Sequence, residues 1–328
     1  MAGEPTSARF PSVESGAGHY ESLYLKACHP SEPIGLWVRY TVHKRPDAAP
    51  TGSLWFTLFG ADGPRAVKQT FDRVHVPADA YIAMGESVFS RAGVRGSAEG
   101  EGRRASWELS LEGSAEPFRH LPSELMYRAP LPRTKLLSPH PDLRFSGRAE
   151  IDGHGVELEG WRGMVGHNWG AQHAERWIWM HGAGFAENES AWFDAALGRI
   201  KVGPLTTPWI ANAVLSFDGE RHRLGGPVKV RSTEVREVPE RCEFVLTGDG
   251  ITVQGTAGSE RERFVGWVYA DPDGSEHHAV NCSIADMELA VSRPGRPPLS
   301  LRVEGGAAYE LGMREHDHGV TIQPFTDG

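Results

Sequence analysis

The sequence predicts an all-β protein of antiparallel sheets, and three observations carry that prediction. Short segments alternate polar and apolar residues with a period of two. Dipeptides that favour tight hairpins recur between them. Long stretches with a 3.6-residue period are missing. The alternation is plain where Ala105, Trp107, Leu109 and Leu111 are set against Ser106, Glu108, Ser110 and Glu112. It recurs at Val228 and Val230 against Lys229 and Arg231, and at Leu299, Leu301 and Val303 against Ser300, Arg302 and Glu304. Successive side chains of a strand leave opposite faces, so each segment has one wet and one dry face. Antiparallel sheets accommodate this, whereas buried parallel strands read as unbroken apolar runs.

In chain order, further strands are expected over 20–26, 36–42, 54–59, 156–161, 176–185, 191–200, 213–217, 242–247, 251–255, 264–270 and 280–289. Asp62-Gly63, Asp152-Gly153, Asp218-Gly219, Asp249-Gly250 and Asp273-Gly274 mark turns of the hairpin kind. Many short strands with frequent turns indicate sandwiches or barrels. The proline-rich stretch 113–141 reads as a loop or linker, and Gly166-His167-Asn168-Trp169-Gly170 as a turn between two glycines. A length of 328 residues favours two domains. The expected division is a mobile tail over 1–14, a first barrel over 15–172 and a second over 173–328. No internal sequence repeat relates the halves.

Composition removes several function classes. Charged residues are 23% and hydrophobic ones 39%, the balance of a globular chain. The net charge of −9 opposes a nucleic-acid partner, which needs clustered Lys and Arg. No apolar run reaches the roughly 18 residues of a membrane-spanning helix, although transient membrane contact stays open. The N-terminus lacks the charged-then-apolar order of a secretory signal. Cys28, Cys242 and Cys282 are odd in number and scattered, which suggests buried free thiols and a cytoplasmic location. Oligomeric state is open.

Residues 162–182 hold three histidines and three tryptophans. If 175–185 is a strand, Glu175, Trp177, Trp179, His181 and Phe185 share one face, and Arg176, Ile178 and Met180 the other. A solvent face rarely carries two indoles, and a plain core face rarely includes a carboxylate and an imidazole. A ligand cavity accommodates both, while a core histidine bonded to backbone is the competing reading. In the next strand Trp192 and Asp194 share a face opposite Phe193. A carboxylate there must pair, with Arg176 or Arg199 as the nearest candidates, or stay protonated.

No tight metal-ligand spacing appears, since His167, His173 and His181 are six and eight residues apart. His277-His278 and His316-Asp317-His318 read as solvated turns. Glycine-rich phosphate loops and a Gly-x-Ser-x-Gly elbow are absent as well. No metal and no cofactor are expected.

The run 163–170, Gly-x-x-Gly-His-Asn-Trp-Gly, resembles the carotenoid 1,2-hydratase (hydroxyneurosporene synthase) family and its lipocalin-like relatives. Those relatives include AttH-like proteins, tocopherol cyclases, and fungal kievitone hydratases and Diels–Alderases. "ESLYLKA" at 21–27 and "GLWVRYTVH" at 35–43 look like the family's first two strands, and "AVKQTF" at 66–71 like its third or fourth. "AAYELG" at 307–312 resembles its closing strand, with Tyr309 and Glu310 at the matching positions and a tryptophan missing.

The resemblance implies two lipocalin-like β-barrels in tandem. It also implies a catalytic His-x-Trp pair at His167 and Trp169, acting with a Tyr-x-Asp pair. Asp194 matches the aspartate of that second pair, and Trp192 stands where tyrosine is expected. On this reading Asp194, His167, Trp169 and Trp192 are catalytic. Trp177, Trp179, His181, Glu175, Asn168, Tyr309 and Glu310 would bind a hydrophobic small molecule. Desolvation in a dry barrel would keep Asp194 protonated, so that it could donate to a C=C bond. Indole faces would stabilise the resulting cation, and His167 would handle the water that captures it. Capture by an internal hydroxyl would make the protein a cyclase instead. A noncatalytic carrier, a pericyclase and a protein-interaction role are the alternatives.

Overall fold

The structure, a computed structural model, describes residues 6–113 and 115–325. The chain meanders from hairpin to hairpin, as the Asp-Gly pairs require. Asp152 and Asp218, for example, take φ of 51° and 53°, the left-handed geometry of tight hairpin turns.

The first set of strands is β1 (His19–Cys28), β2 (Gly35–Lys44), β3 (Thr51–Phe59), β4 (Arg65–Phe71), β5 (Ala80–Met84), β6 (Ser87–Ser90), β7 (Gly93–Gly100), β8 (Arg103–Glu112), β9 (Phe118–Arg119), β10 (Thr134–Ile151) and β11 (His154–Gly170). They form one antiparallel sheet in the order β4-β3-β2-β1-β11-β10-β8-β7-β6-β5, with β9 on β10. The sheet curls shut where His75, just past β4, exchanges backbone hydrogen bonds of 3.1 and 2.9 Å with Ala83 of β5.

The second set is β12 (Arg176–Phe185), β13 (Asn188–Arg199), β14 (Lys201–Val202), β15 (Leu205–Thr206), β16 (Ile210–Phe217), β17 (Glu220–Gly225), β18 (Glu234–Val238), β19 (Arg241–Gly248), β20 (Ile251–Gly258), β21 (Val265–Ala270), β22 (Glu276–Ser292) and β23 (Leu299–Met313). All but β14 and β15, which pair alone, form a second antiparallel sheet in the order β17-β16-β13-β12-β23-β22-β20-β19-β18, with β21 on β22. It curls back on itself where Arg223 N of the end strand β17 donates to Asp249, just past the next-to-last strand β19, at 2.7 Å. The chain passes from one barrel to the other between Gly170 and Arg176.

Each barrel is filled by its inward side chains. Leu23, Leu25, Phe56, Trp107, Phe145 and Val165 pack in the first, and Ile178, Phe193, Phe244, Met287, Tyr309 and Leu311 in the second. The outer faces of β1, β2 and β3 do not face water. They press on the second barrel, with Trp55 on Trp267 (5.0 Å between rings), Cys28 Sγ donating to Ser283 O (2.9 Å) and the buried Lys26 ammonium donating to Gly306 O (2.6 Å). Cys28, Cys242 and Cys282 are free and buried.

Several local expectations change. Within the expected mobile tail, the described residues are anchored. Phe10 is buried in the first core, and the backbone N–H groups of Arg9 and Phe10 donate to the Glu21 carboxylate at 2.8–2.9 Å. Residues 1–5 lie outside the described residues. The supposed linker 113–141 contains β9, a short helix α1 (Glu124–Arg128) and the start of β10, whose two prolines fall at register shifts. The 166–170 run is the end of strand β11 rather than a turn. Residues 227–232 form a 3₁₀ turn that leaves Val228 exposed. A bulge between Ala183 and Phe185 swings Phe185 into the core, off the face it was expected to share with Trp179. His277 and His318 are buried, not solvated; His318 sits 2.9 Å from His278.

Candidate active site

Strand alternation decides where the aromatic stretch points. In β12, Ile178 and Met180 enter the second barrel, so Trp177, Trp179 and His181 leave its outer wall. In β1 and β11, Leu23, Leu25, Val165 and His167 point into the first barrel, so Tyr24, Met164 and Asn168 leave its outer wall. The two outer walls meet, and Met164, Trp179, Ala308 and Tyr24 pack together at the junction. A cavity of about 180 Å³ opens beside that contact. It lies between the barrels, not inside either one.

Its wall is mostly apolar, with five Trp and Tyr rings among its lining residues. Trp37 and Tyr24 come from the first barrel, and Trp177, Trp179 and Tyr269 from the second. His173 stacks on Tyr20 (3.9 Å) and Trp177 (5.3 Å), and Trp177 stacks on Tyr269 (5.9 Å). Two of these rings lie flat across glycines. A Cβ at Gly166 would fall 2.1 Å from Tyr24, and one at Gly312 would fall 2.1 Å from the Trp177 indole. The glycines of the 163–170 and 307–312 runs therefore make room for cavity walls.

Polar groups gather at the two ends of the wall. At one end, Asp271 Oδ1 accepts both the backbone N–H and Nδ1–H of His173, each at 2.7 Å. That leaves His173 Nε2 buried and without a partner. Glu310 accepts from Trp177 Nε1 (2.9 Å), Asn281 Nδ2 (3.2 Å) and the Tyr269 hydroxyl (3.3 Å). The Arg39 guanidinium stacks on Tyr269 at 4.2 Å and donates to Ser22 Oγ at 2.6 Å. At the other end, His120 lines the cavity, and behind it Asp194 is fully buried. Ser138 Oγ lies 2.5 Å from Asp194 Oδ2 and 3.2 Å from His120 Nε2, while Asp194 and His120 are 3.4 Å apart. His120 Nδ1 is 3.1 Å from Asn212 O. A carbonyl only accepts, so Nδ1 carries hydrogen.

Asp194 is not the neutral acid expected. Burial does raise its pKa, but the His120 charge and hydrogen bond, the His181 charge and the Ser138 hydroxyl outweigh it and hold the carboxyl below its ordinary value. With Asp194 ionised, Ser138 donates to it and is free to accept from His120 Nε2–H. His181 pairs across the strands with Asp194 and meets Pro141 O at 2.9 Å; burial, then the Lys26 charge, push its pKa down to about 4. Burial also pushes the Tyr24 hydroxyl far up, reinforced by Asp194 and Glu310.

The remaining expected residues are dispersed. His167 and Trp169 face the first barrel. His167 Nε2 meets Glu21 at 2.8 Å, and the Arg9 guanidinium covers Trp169 at 5.0 Å. Trp192 packs with Phe118, Ala183 and Val214 away from the cavity wall, under Arg221. Tyr309 adjoins Glu310 and so takes the opposite face, where its hydroxyl donates to Val238 O at 2.7 Å inside the second barrel. Glu175 lies in a side pocket, 3.7 Å from Arg314. Arg176 and Arg199 do not hold Asp194; Arg176 pairs with Glu237 and Glu315. Of the expected residues, Trp177, Trp179, Asn168 and Glu310 line the cavity.

No family model matches the sequence. An uncharacterized protein of Mycobacterium tuberculosis, found in strains CDC 1551 and H37Rv, is 27% identical over 334 residues. The match covers 95% of this chain and 91% of that protein. The crystal structure of kievitone hydratase from Nectria haematococca superposes with a TM-score of 0.56 at 8% identity, covering 96% of this chain and 92% of that one. A Nitrosomonas europaea protein described as an AttH superposes with a TM-score of 0.51 at 12% identity, covering 95% and 96%. This protein has the tandem lipocalin-like fold.

Sequence reasoning missed Tyr24, Arg39, His120, Ser138, Asp271 and His277. One signal was available: β1 and β2 are buried on both faces, and "GLWVRYTVH" lacks a wet face. Spacing also hid a candidate metal centre. One ligand atom each of His173, Asp271 and His277 lies within 4.8 Å of the others. His277 Nδ1 is 3.7 Å from Asp271 Oδ2, and both its ring nitrogens lack hydrogen bonds. The donor set suits a borderline divalent cation. His173 Nδ1 and Asp271 Oδ1 are engaged with each other, while His173 Nε2 has no hydrogen-bond partner and Asp271 Oδ2 is the oxygen nearest His277.

Proposed function

We propose that the protein is a hydratase- or cyclase-type enzyme that protonates a C=C bond of an apolar isoprenoid or polyketide-type substrate held between the barrels. One observation carries this reading: a single aromatic-walled cavity has a histidine–carboxylate unit at each end. Trp177 and His181 bracket the wall along β12, four residues or about 13 Å apart, with Trp179 between them.

The two units are suited to opposite tasks. His120 stands at the cavity edge with the Asp194 carboxylate behind it, which favours the protonated ring, and in that form it serves as the acid. His173 gives Nδ1–H to Asp271, which leaves Nε2 as a lone pair able to take a proton from water. Protonation of the alkene leaves a carbocation, and each desolvated indole face is worth about 2 kcal/mol toward it. The Tyr24 hydroxyl makes no hydrogen bond to another described residue and stands in the cavity. It supplies the phenol that position 192 lacks. Asp194 and Ser138 position His120 rather than touch substrate, and the proton that returns to His120 comes from solvent.

The test is turnover of apolar polyenes and terpenoid alcohols in isotopic water. A hydratase places one deuteron from D₂O on carbon and one ¹⁸O from H₂¹⁸O in the product. A cyclase using an internal hydroxyl incorporates the deuteron alone. A product with neither label identifies a pericyclase, and a bound ligand recovered unchanged by native mass spectrometry identifies a carrier. Either of those last two results overturns the proposal.

A further inference from the structure

Large apolar side chains standing in water are few on this surface, and they are not scattered. Among the described residues, seven are exposed, and five of them fall in three short segments: Leu125 and Leu131, Val202 and Leu205, and Val228. Leu125, Leu205 and Val228 are 74%, 73% and 89% exposed. The same segments reach the cavity, through Met126 and Pro132, through Ile200 beside β14, and through Pro227. A side pocket lined by Leu131, Ile200 and Lys201 shares Thr134, His173 and Ala174 with the cavity and leads from it to this surface. The apolar tips therefore ring the cavity mouth.

Charge at the rim runs against the rest of the chain. The net charge is −9, yet residues 124–133, 200–207 and 227–232 carry Arg128, Arg133, Lys201, Lys229 and Arg231, all exposed. Their one acid, Glu124, is already bonded to Arg119. None of these five cations has an ion-pair partner among the described residues. A ring of apolar tips set among unpaired cations matches the boundary of an anionic bilayer, where tips enter the acyl edge and cations meet lipid phosphates.

We propose that this rim docks on anionic membranes and that apolar substrate passes from the bilayer into the cavity. Docking stands on the rim alone. Loading rests on the cavity being the substrate site. The experiment is co-sedimentation of the full chain with phosphatidylcholine vesicles, with and without phosphatidylglycerol, at low and high salt. Binding is expected to be at least about tenfold stronger to the anionic vesicles and to weaken with salt, because salt screens the attraction between the rim cations and the lipid phosphates. The Leu205→Asp, Val228→Asp double variant should lose that binding while still quenching tryptophan fluorescence with a soluble naphthylamine probe.

Equal sedimentation with and without phosphatidylglycerol, or wild-type binding by the double variant, overturns the proposal. So does a concentration-dependent dimer that the same variant abolishes in the absence of vesicle binding, since the rim would then be a self-association face. Vesicle binding without probe entry leaves docking intact and sinks the cavity reading instead.

Discussion

His167 with Glu21, inside the first barrel, and His120 with Asp194, beside the cavity, are both buried imidazole–carboxylate pairs. Their surroundings differ. Glu21 accepts from Arg9 N, Phe10 N and His167, with His19 at 3.4 Å, and every donor is protein. Although burial raises its pKa, the hydrogen bonds and charges of His167 and His19 bring it down to about 2. That pair fastens the N-terminal segment to β1. Asp194 keeps Oδ1 without a partner and acts through a ring that borders empty space. Similar chemistry is a fastener in one place and, on the proposed function, an acid in the other, and the difference is which face of a strand looks at a cavity.

Replacing His120 by Gln, or Asp271 by Asn, gives the largest expected effect: a fall of about 10²–10⁴ in kcat with the melting temperature nearly kept. His167→Gln should lose stability while kcat changes little. Isotope-labelled turnover beside thermal unfolding measures both, and the opposite pattern would hand the catalytic role back to His167.

Glu21→Ala should be the most destabilising change, by about 3–5 kcal/mol, because several buried donors lose their acceptor. Urea unfolding reads it. A loss under 1 kcal/mol would mean that the fastener is not one.

Acid should weaken the fold through the buried histidines. His181 is held near 4 by burial and Lys26, and His277 near 3 by burial, then His173 and Arg314. Both folded values lie below the ordinary histidine value. The stability they contribute is therefore complete above about pH 6.5 and is lost as pH falls toward the folded values, at about 1.4 kcal/mol per pH unit for His181. His181→Gln should flatten that part of the stability–pH curve, and an unchanged curve refutes the assignment.

Gly166→Ala pushes a methyl into the Tyr24 ring and should cost about 1–3 kcal/mol. It should also raise KM more than it lowers kcat, since it moves a wall rather than a proton. The smallest effect is expected from chelation. EDTA should leave activity and melting temperature unchanged if His173 and Asp271 work as a hydrogen-bonded pair. Activity lost to EDTA and restored by zinc would make that end of the cavity a metal centre.

Much of the fold was legible because strands announce themselves locally. Residues 176–185 are a strand with the bounds that alternation suggests, and Trp177 and Trp179 face the cavity as their spacing indicates. The site was less legible. His120 sits in a proline-rich stretch with no periodicity, and Asp271 lies 98 residues from His173. The 166–170 run reads as a turn because two glycines bracket polar residues. In the structure Gly166 instead lets Tyr24 pack across β11.

Period-two alternation, Asp-Gly turns and missing helical periodicity determined by themselves that this chain is antiparallel β, and which residues share a strand face. Only the tertiary structure decided which face looks into a barrel, which looks between barrels, and which distant carboxylate meets which histidine. The reason is physical. Alternation depends on neighbours one and two residues apart, whereas docking one barrel wall on another brings together groups that no local pattern links.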